Sequence, residues 1–226
     1  EFSRGKSELI NVIFFAEYGD RVLPSAAGRT TMCPTELLYD AARPPRIDLL
    51  PIETRATNAG ISDYKRFPEE WHSIMLEVAS AEAMQEALQH VSETMRVTPE
   101  EARNLGFVVD NEGDASLHVG DDGLVDVPRW RHAVINFPHP LLKQGLVILD
   151  TPGLNAIGTE PELTLSLLPN AHAVLFILAA DTGVTQSDLN IWKESVSESG
   201  KRGRMVVLNK IDGLWDELKS VKEIEA

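Results

Sequence analysis

Three continuous apolar runs in the last third of the chain constrain its fold more than any other feature: Leu146-Val147-Ile148-Leu149, Ala173-Val174-Leu175-Phe176-Ile177-Leu178 and Met205-Val206-Val207-Leu208. A strand with one wet face alternates apolar and polar residues, whereas an unbroken run of this length suits a strand covered on both faces. Between the last two runs, Leu189, Trp192 and Val196 fall on one helical face, which supplies covering material. The pattern predicts an α/β domain of three layers, helix, sheet and helix, with a mostly parallel sheet. Trp130 to Phe137 alternates less cleanly and precedes Pro138-His139-Pro140, so it is expected as one antiparallel strand beside the Leu146 run.

Upstream, Glu36 to Asp40 and Arg46 to Arg55 read as short strands joined by a turn at Pro44 and Pro45. From Glu69 to Val97, Trp71, Ile74, Met75, Val78, Met84, Leu88, Val91 and Met95 recur at spacings of three and four, apart from one step of six. This spacing predicts a long amphipathic helix. Thr98-Pro99-Glu100-Glu101 carries the capping signature of a second, short helix that Gly106 ends. Val108 to Asp126 holds six acids and no Lys or Arg, the composition of an exposed loop or hairpin. A calcium loop starting at Asp110 fails, because Ala115 stands where glycine is needed and Asp121 where a bidentate glutamate is needed.

The formal charge of −14 repels phosphate backbones, so no general nucleic-acid partner is expected, although a local anion site is compatible with it. The single cysteine, Cys33, has no partner for an internal disulfide and is expected as a small buried residue; a cytoplasmic location follows as the expectation. The longest apolar run, Ala171 to Ala180, is interrupted by His172 and falls short of the roughly 20 residues of a membrane-spanning helix.

Three polar elements carry chemistry. Ser3-Arg4-Gly5-Lys6-Ser7 leads into a helix, where backbone N–H groups and the helix dipole favour phosphate oxygens. Lys6 supplies a charge between β and γ phosphates, and the Ser7 hydroxyl a ligand for Mg²⁺. Asp150-Thr151-Pro152-Gly153-Leu154 ends the Leu146 run, with Asp150 suited to hold Mg²⁺ through water and the Gly153 N–H to meet a γ-phosphate oxygen. Asn209-Lys210-Ile211-Asp212 ends the Met205 run. There the Asp212 carboxylate can accept from N1–H and the 2-amine of guanine, Lys210 can lie along the base, and Asn209 can brace the loop. Gly28-Arg29-Thr30-Thr31-Met32-Cys33-Pro34 lies in a Gly- and Pro-rich connection, and Thr31, ahead of Thr30, is the residue expected to close over metal and γ-phosphate. Arg4 reads as solvated in preference to facing phosphate, and the six histidines show no metal-ligand spacing.

Taken together, Phe2-Ser3-Arg4-Gly5-Lys6-Ser7-Glu8-Leu9-Ile10-Asn11, the Gly28 to Thr35 loop, Asp150 to Leu154 and Asn209 to Gly213 resemble the motifs of the dynamin-like GTPases, in particular their bacterial members. The interval from Thr31 to Asp150 takes up more than half of the chain, whereas compact Ras-like GTPases cross it in far fewer residues. The resemblance implies a P-loop GTPase domain over residues 1–226, incomplete at both ends. It also implies a helical insertion at residues 56–129, between the two switch segments, with Trp71 to Asp126 carrying the enlargement. A first strand and leading glycine are expected before Glu1, and a helical stalk after Ala226.

The implied activity is hydrolysis of GTP to GDP, with Ser3, Lys6, Thr31 and Gly153 in catalytic roles and Ser7, Thr31 and Asp150 on Mg²⁺. Ser3, Arg4, Gly5, Lys6, Ser7, Glu8, Thr30, Thr31, Asp150, Gly153, Asn209, Lys210 and Asp212 would form the nucleotide site, with Ser3 acting beside a monovalent cation. Phe2 stands where dynamins carry a water-directing glutamine, so the water must be positioned otherwise. The implied partners are a second GTPase domain across the nucleotide face and, through regions outside this chain, a membrane surface at the inner membrane. Two other readings remain at this stage: a ribosome- or RNA-associated P-loop GTPase, and a non-hydrolysing guanine-nucleotide switch.

Overall fold

The computed structural model describes residues 4–19, 22–24, 33–57, 59–107, 109, 117, 119–150, 171–193 and 203–214. Helix α1 (Lys6–Phe14) is followed by strands β1 (Thr35–Leu38) and β2 (Arg46–Pro51), helix α2 (Ile61–Tyr64), β3 (His72–Met75), α3 (Ala81–Gln89) and β4 (Thr94–Val97). Then come α4 (Pro99–Asn104), β5 (Val125–Pro128), β6 (Trp130–Asn136), α5 (Pro140–Lys143), β7 (Ile148–Asp150), β8 (Ala173–Ala179), α6 (Gln186–Ile191) and β9 (Gly203–Asn209).

The α/β class expected from the apolar runs is present as a mixed sheet in the order β3-β2-β6-β1-β7, with a parallel pair β8-β9 beside it in sequence. Strand β1 runs parallel to β6, whereas β7 opposes β1, and β2 opposes both β6 and β3. Two strands, β2 and β7, therefore run against the other three, where a single antiparallel strand was expected. Strand β6 is also not beside β7, because β1 lies between them. Its alternating residues explain the insertion: Ala133 and Ile135 join Leu37, Ile47 and Leu49 in the core, which fixes the register to both β1 and β2.

That core is closed by Phe14 and Phe15 from the end of α1 and its cap, and by Met84, Leu88 and Val91 from α3 and the turn after it. Phe15 and Phe137 have ring centroids 5.0 Å apart. Helix α1 buries Ile10, Asn11 and Phe14 but exposes Val12 and Ile13, so it is covered along one stripe. Asn11 uses its buried amide to hold Leu23, donating to its carbonyl at 3.0 Å and accepting from its N–H at 2.8 Å.

The long helix expected from Glu69 to Val97 is not formed: the segment is strand β3, helix α3 and strand β4. Edge pairing with β2 takes His72 to Met75, and Ser80 caps α3 by accepting from the Ala83 N–H at 3.2 Å. The six-residue step in the apolar pattern, from Val78 to Met84, spans that cap. Strand β4 pairs with β5, and with α4 forms a small second core of Val97, Ala102, Phe107, Val125 and Val127. The region expected as a helical insertion thus mixes helices and strands among its described residues. Thr98 and Glu101 do form the reciprocal cap read from the sequence, and Gly106 follows α4 at φ 80. Cys33 is buried, as its size suggested. No helix among the described residues is long and apolar enough to cross a membrane.

The opposite face of the sheet is charged. Glu36 accepts from Lys65 Nζ at 2.7 and 2.8 Å and shares a hydrogen bond with His132 Nε2 at 3.2 Å. Burial pushes the Glu36 carboxyl up, but the hydrogen bonds and charges of His132 and Lys65 outweigh it and bring the pKa from 4.5 down to about 2. A carboxyl depressed on folding stabilises the fold above its unfolded pKa and loses that contribution as pH falls through the folded one. With Lys65 almost half exposed, the contribution at neutral pH is on the order of 2 kcal/mol. It is expected to be complete above pH 4.5 and to be lost as pH falls towards about 2. Urea denaturation across that window should show a steep fall in stability that the Glu36→Gln variant lacks.

Candidate functional site

The carboxyl ends of β7 and β9 meet the start of α1, which is where an open α/β sheet places its ligands. Gly5 caps α1 in the left-handed region at φ 82, and its carbonyl accepts the first helical bond from the Leu9 N–H at 2.9 Å. The N–H groups of Lys6, Ser7 and Glu8 occupy the first turn, whose donors have no acceptor within the helix. The dipole adds to their attraction for an anion.

Ser7 and Asp150, separated by most of the chain, meet here: the Ser7 hydroxyl donates to Asp150 Oδ2 at 2.9 Å. Burial pushes the Asp150 carboxyl up, against the pull of the Ser7 hydrogen bond and the Lys6 charge. Lys6 is depressed, chiefly by its own burial and further by the Arg4 charge, while Asp150 partly restores it. The site therefore holds a partly desolvated cation beside a partly desolvated carboxylate, an arrangement that a phosphate and a divalent cation would each relieve.

Asn209, the last residue of β9, donates from Nδ2 to the Arg4 carbonyl at 2.9 Å and so ties the loop after β9 to the phosphate-loop backbone. Gly5 is close-packed against the same amide: a Cβ there would overlap Asn209 Nδ2. Gly5→Ala should therefore suffer twice, through roughly 1–2 kcal/mol of left-handed strain and through displacement of the Asn209 brace. A lowered melting temperature together with weakened nucleotide binding is the expected pair of readouts.

Lys210 is itself left-handed at φ 57, and its Nζ donates to Asp181 Oδ2 at 3.2 Å. Asp212 follows in the short turn Ile211–Leu214, exposed to solvent. Parallel pairing of β8 with β9, and the Ala180 N–H bond to the Asn209 carbonyl at 2.9 Å, set the loops after the two strands side by side.

Arg4 is not solvated, as the sequence reading had it. It is buried and pairs with Asp188 at 2.8 Å. Asp188 also accepts from the Thr185 N–H and hydroxyl, which with Arg4 outweigh burial and lower its carboxyl pKa. Asp188 is the residue that reading the motifs missed. The spacing Thr185-x-x-Asp188 is a legible cap signal, but its ion pair to Arg4 spans 184 positions and leaves no local trace.

Glu8 lies in the first turn of α1. Ser3, Thr30, Thr31 and Gly153 lie outside the described residues. Thr35, which follows Thr30 and Thr31 in the sequence, pairs with Asp150, so the chain enters the sheet there beside that carboxylate. An open cavity of about 250 Å³ lies elsewhere, on the charged sheet face, with Lys65–Glu36 and Arg46–Asp48 already paired in its wall. None of the residues expected in the nucleotide site lines it.

A family model described as the Dynamin family matches residues 1–211. The chain is similar to a bacterial dynamin-like protein of Nostoc punctiforme, 30% identical over 92 residues that cover 41% of this chain and 13% of that protein. It is also similar to the GTPase Der of Legionella pneumophila, 28% identical over 142 residues, covering 57% of this chain and 30% of that one. Among solved structures, an oligomerised bacterial dynamin pair, described as a mechanism for long-range sensing and tethering of membranes, aligns with a TM-score of 0.50. It shares 17% identity and covers 99% of this chain and 28% of that one, a likeness that speaks for the fold. The chain thus spans less than a third of the length of each of these proteins.

Proposed function

The chain belongs to the dynamin family, and on that premise we propose that it binds GTP with Mg²⁺ and hydrolyses it as the GTPase domain of a bacterial dynamin-like protein. The observation that carries the reading is the convergence of Ser7 and Asp150 at 2.9 Å beside partly buried Lys6. Their hydroxyl and carboxylate are hard oxygen donors of the kind Mg²⁺ takes, so the residues fit the ion, Ser7 directly and Asp150 through water. When bound, magnesium neutralises charge between the β and γ phosphates.

Lys6 holds the same phosphates from the helix side, and the first-turn N–H groups of α1 surround them. Asp212 reads the guanine edge, Lys210 covers the base, and Asn209 keeps base loop and phosphate loop at a fixed distance. Thr30 and Thr31 close the site, with the Thr31 backbone orienting the attacking water in place of the glutamine that Phe2 replaces. Gly153 senses the γ-phosphate. Ser3, with a monovalent cation, offsets charge developing between the β and γ phosphates. Hydrolysis is coupled to self-association across the nucleotide face and, through parts outside residues 1–226, to membrane remodelling at the cytoplasmic surface of the inner membrane.

Turnover of GTP by the full-length protein, with and without liposomes and with and without RNA, tests this. Liposome-stimulated turnover is expected. Stimulation by RNA would favour the RNA-associated alternative, and tight binding without turnover a non-hydrolysing switch.

A further inference from the structure

Lys210 is held at both ends. Its backbone is left-handed at φ 57, a strained setting for a residue with a side chain, and its carbonyl accepts from the Gly213 N–H at 3.3 Å. Its Nζ donates to Asp181 Oδ2 at 3.2 Å. That carboxylate has its own support. The Thr182 hydroxyl donates to the other oxygen, Oδ1, at 2.9 Å. The Thr182 and Gly183 N–H groups turn back to the carbonyl of buried Ala179, at 3.3 and 3.0 Å. Ala179 ends β8 and pairs with Asn209, which ends β9, so Asp181 stands on a turn that the sheet fixes beside the base loop.

The side chains of Lys210 and Asp181 are 39% and 56% exposed, so their ion pair contributes little to folding. Its consequence is for order. A lysine in an exposed turn spreads over many rotamers, whereas a four-carbon stem fixed at its Cα and its Nζ does not. Methylene surface held in one place suits the flat face of a base, and the entropy of ordering it is lost before the ligand arrives.

Resting on the nucleotide-site reading above, we propose that Asp181 is a positioning residue for the base: by holding the Lys210 ammonium it keeps the Lys210 stem extended across the purine. It thereby sets affinity for the nucleoside part of the ligand without touching the phosphates or the base edge. The motifs read from the sequence omit Asp181, and its hold on Lys210 gives the turn after β8 a part in the nucleotide site.

Fluorescently labelled GDP is titrated into the full-length wild type, Asp181→Ala, Lys210→Met and the double variant, and is then displaced with unlabelled GDP or with pyrophosphate. Asp181→Ala is expected to bind GDP roughly threefold more weakly, the range open to an exposed ion pair. Lys210→Met keeps an apolar stem but no ammonium, so it should lose a similar factor, and adding Asp181→Ala to it should change nothing further. Asp181→Glu, which keeps the charge, should restore binding. Pyrophosphate has no base and should displace the label equally well from wild type and Asp181→Ala. In GTP turnover KM should rise while kcat stays, because the base is held alike in ground and transition states. Should Asp181→Ala fail to fold, Asp181→Asn, which keeps the shape without the charge, is expected to weaken GDP in the same direction. Unchanged GDP affinity, an equal loss for GDP and pyrophosphate, or a full Asp181→Ala effect in the Lys210→Met background overturns the proposal and leaves the functional reading intact. A wild type that binds no guanine nucleotide overturns both.

Discussion

Replacing Lys6 with alanine is expected to abolish useful guanine-nucleotide binding, lowering affinity for both GTP and GDP by roughly two to three orders of magnitude. The size follows from the environment. The Lys6 ammonium is buried deeply enough that desolvation depresses its pKa, and Asp150 restores only part of it. A triphosphate arriving at that site meets a cation that is already partly desolvated, so the interaction is a charge-assisted one in a partly solvent-shielded space. Removing the ammonium also strips Asp150 of the charge that helps keep it ionised against burial, and so weakens the magnesium end of the site as well. The unliganded fold should change little, since the variant gives up a desolvated charge and no core contact. Calorimetric titration combined with melting curves makes the distinction: GDP raises the melting temperature of the wild type and leaves the variant's unmoved. Full nucleotide affinity in Lys6→Ala would mean that the phosphate loop has been assigned wrongly.

The parts of this structure legible in the sequence are those fixed by short-range rules. The apolar runs became β7, β8 and β9 with small shifts of boundary, and the Thr98 cap formed as its residues dictate. What failed was decided by partners far along the chain. Met75 suits a helical stripe as well as a strand, and pairing with Arg46 of β2 chose the strand. Strand β6 entered between β1 and β2 because its alternate residues complete the core that both of those strands share, and no local pattern encodes a neighbour.

In the site the same division holds. The motif spacing singled out Gly5, Lys6, Ser7, Asp150 and Asn209, and the described residues join the three stretches that hold them through the Ser7–Asp150 and Asn209–Arg4 bonds. Arg4 was misread because its burial depends on Asp188, a residue whose local duty is to cap α6. A charged residue in a loop looks solvated until its distant counter-ion is known.

Asp212→Asn is expected to invert base preference: affinity for GTP should fall by about two orders of magnitude and affinity for xanthosine triphosphate should rise above it. A carboxylate presents two acceptors, which match the N1–H and 2-amine of guanine; the amide presents one acceptor and one donor, which match N1–H and the 2-carbonyl of xanthine. The structure gives Asp212 the freedom to do this. It is exposed in the turn after β9, two residues beyond left-handed Lys210, which is held by Asp181. Asn209 meanwhile fixes that turn to the phosphate loop, so a nucleotide anchored at Lys6 presents its base at a set distance. The ratio of GTP to xanthosine triphosphate affinity isolates the effect from damage to the loop. Distortion would weaken both nucleotides together, whereas a base-reading carboxylate moves them in opposite directions. An unchanged ratio would remove guanine from the assignment and leave only a phosphate site.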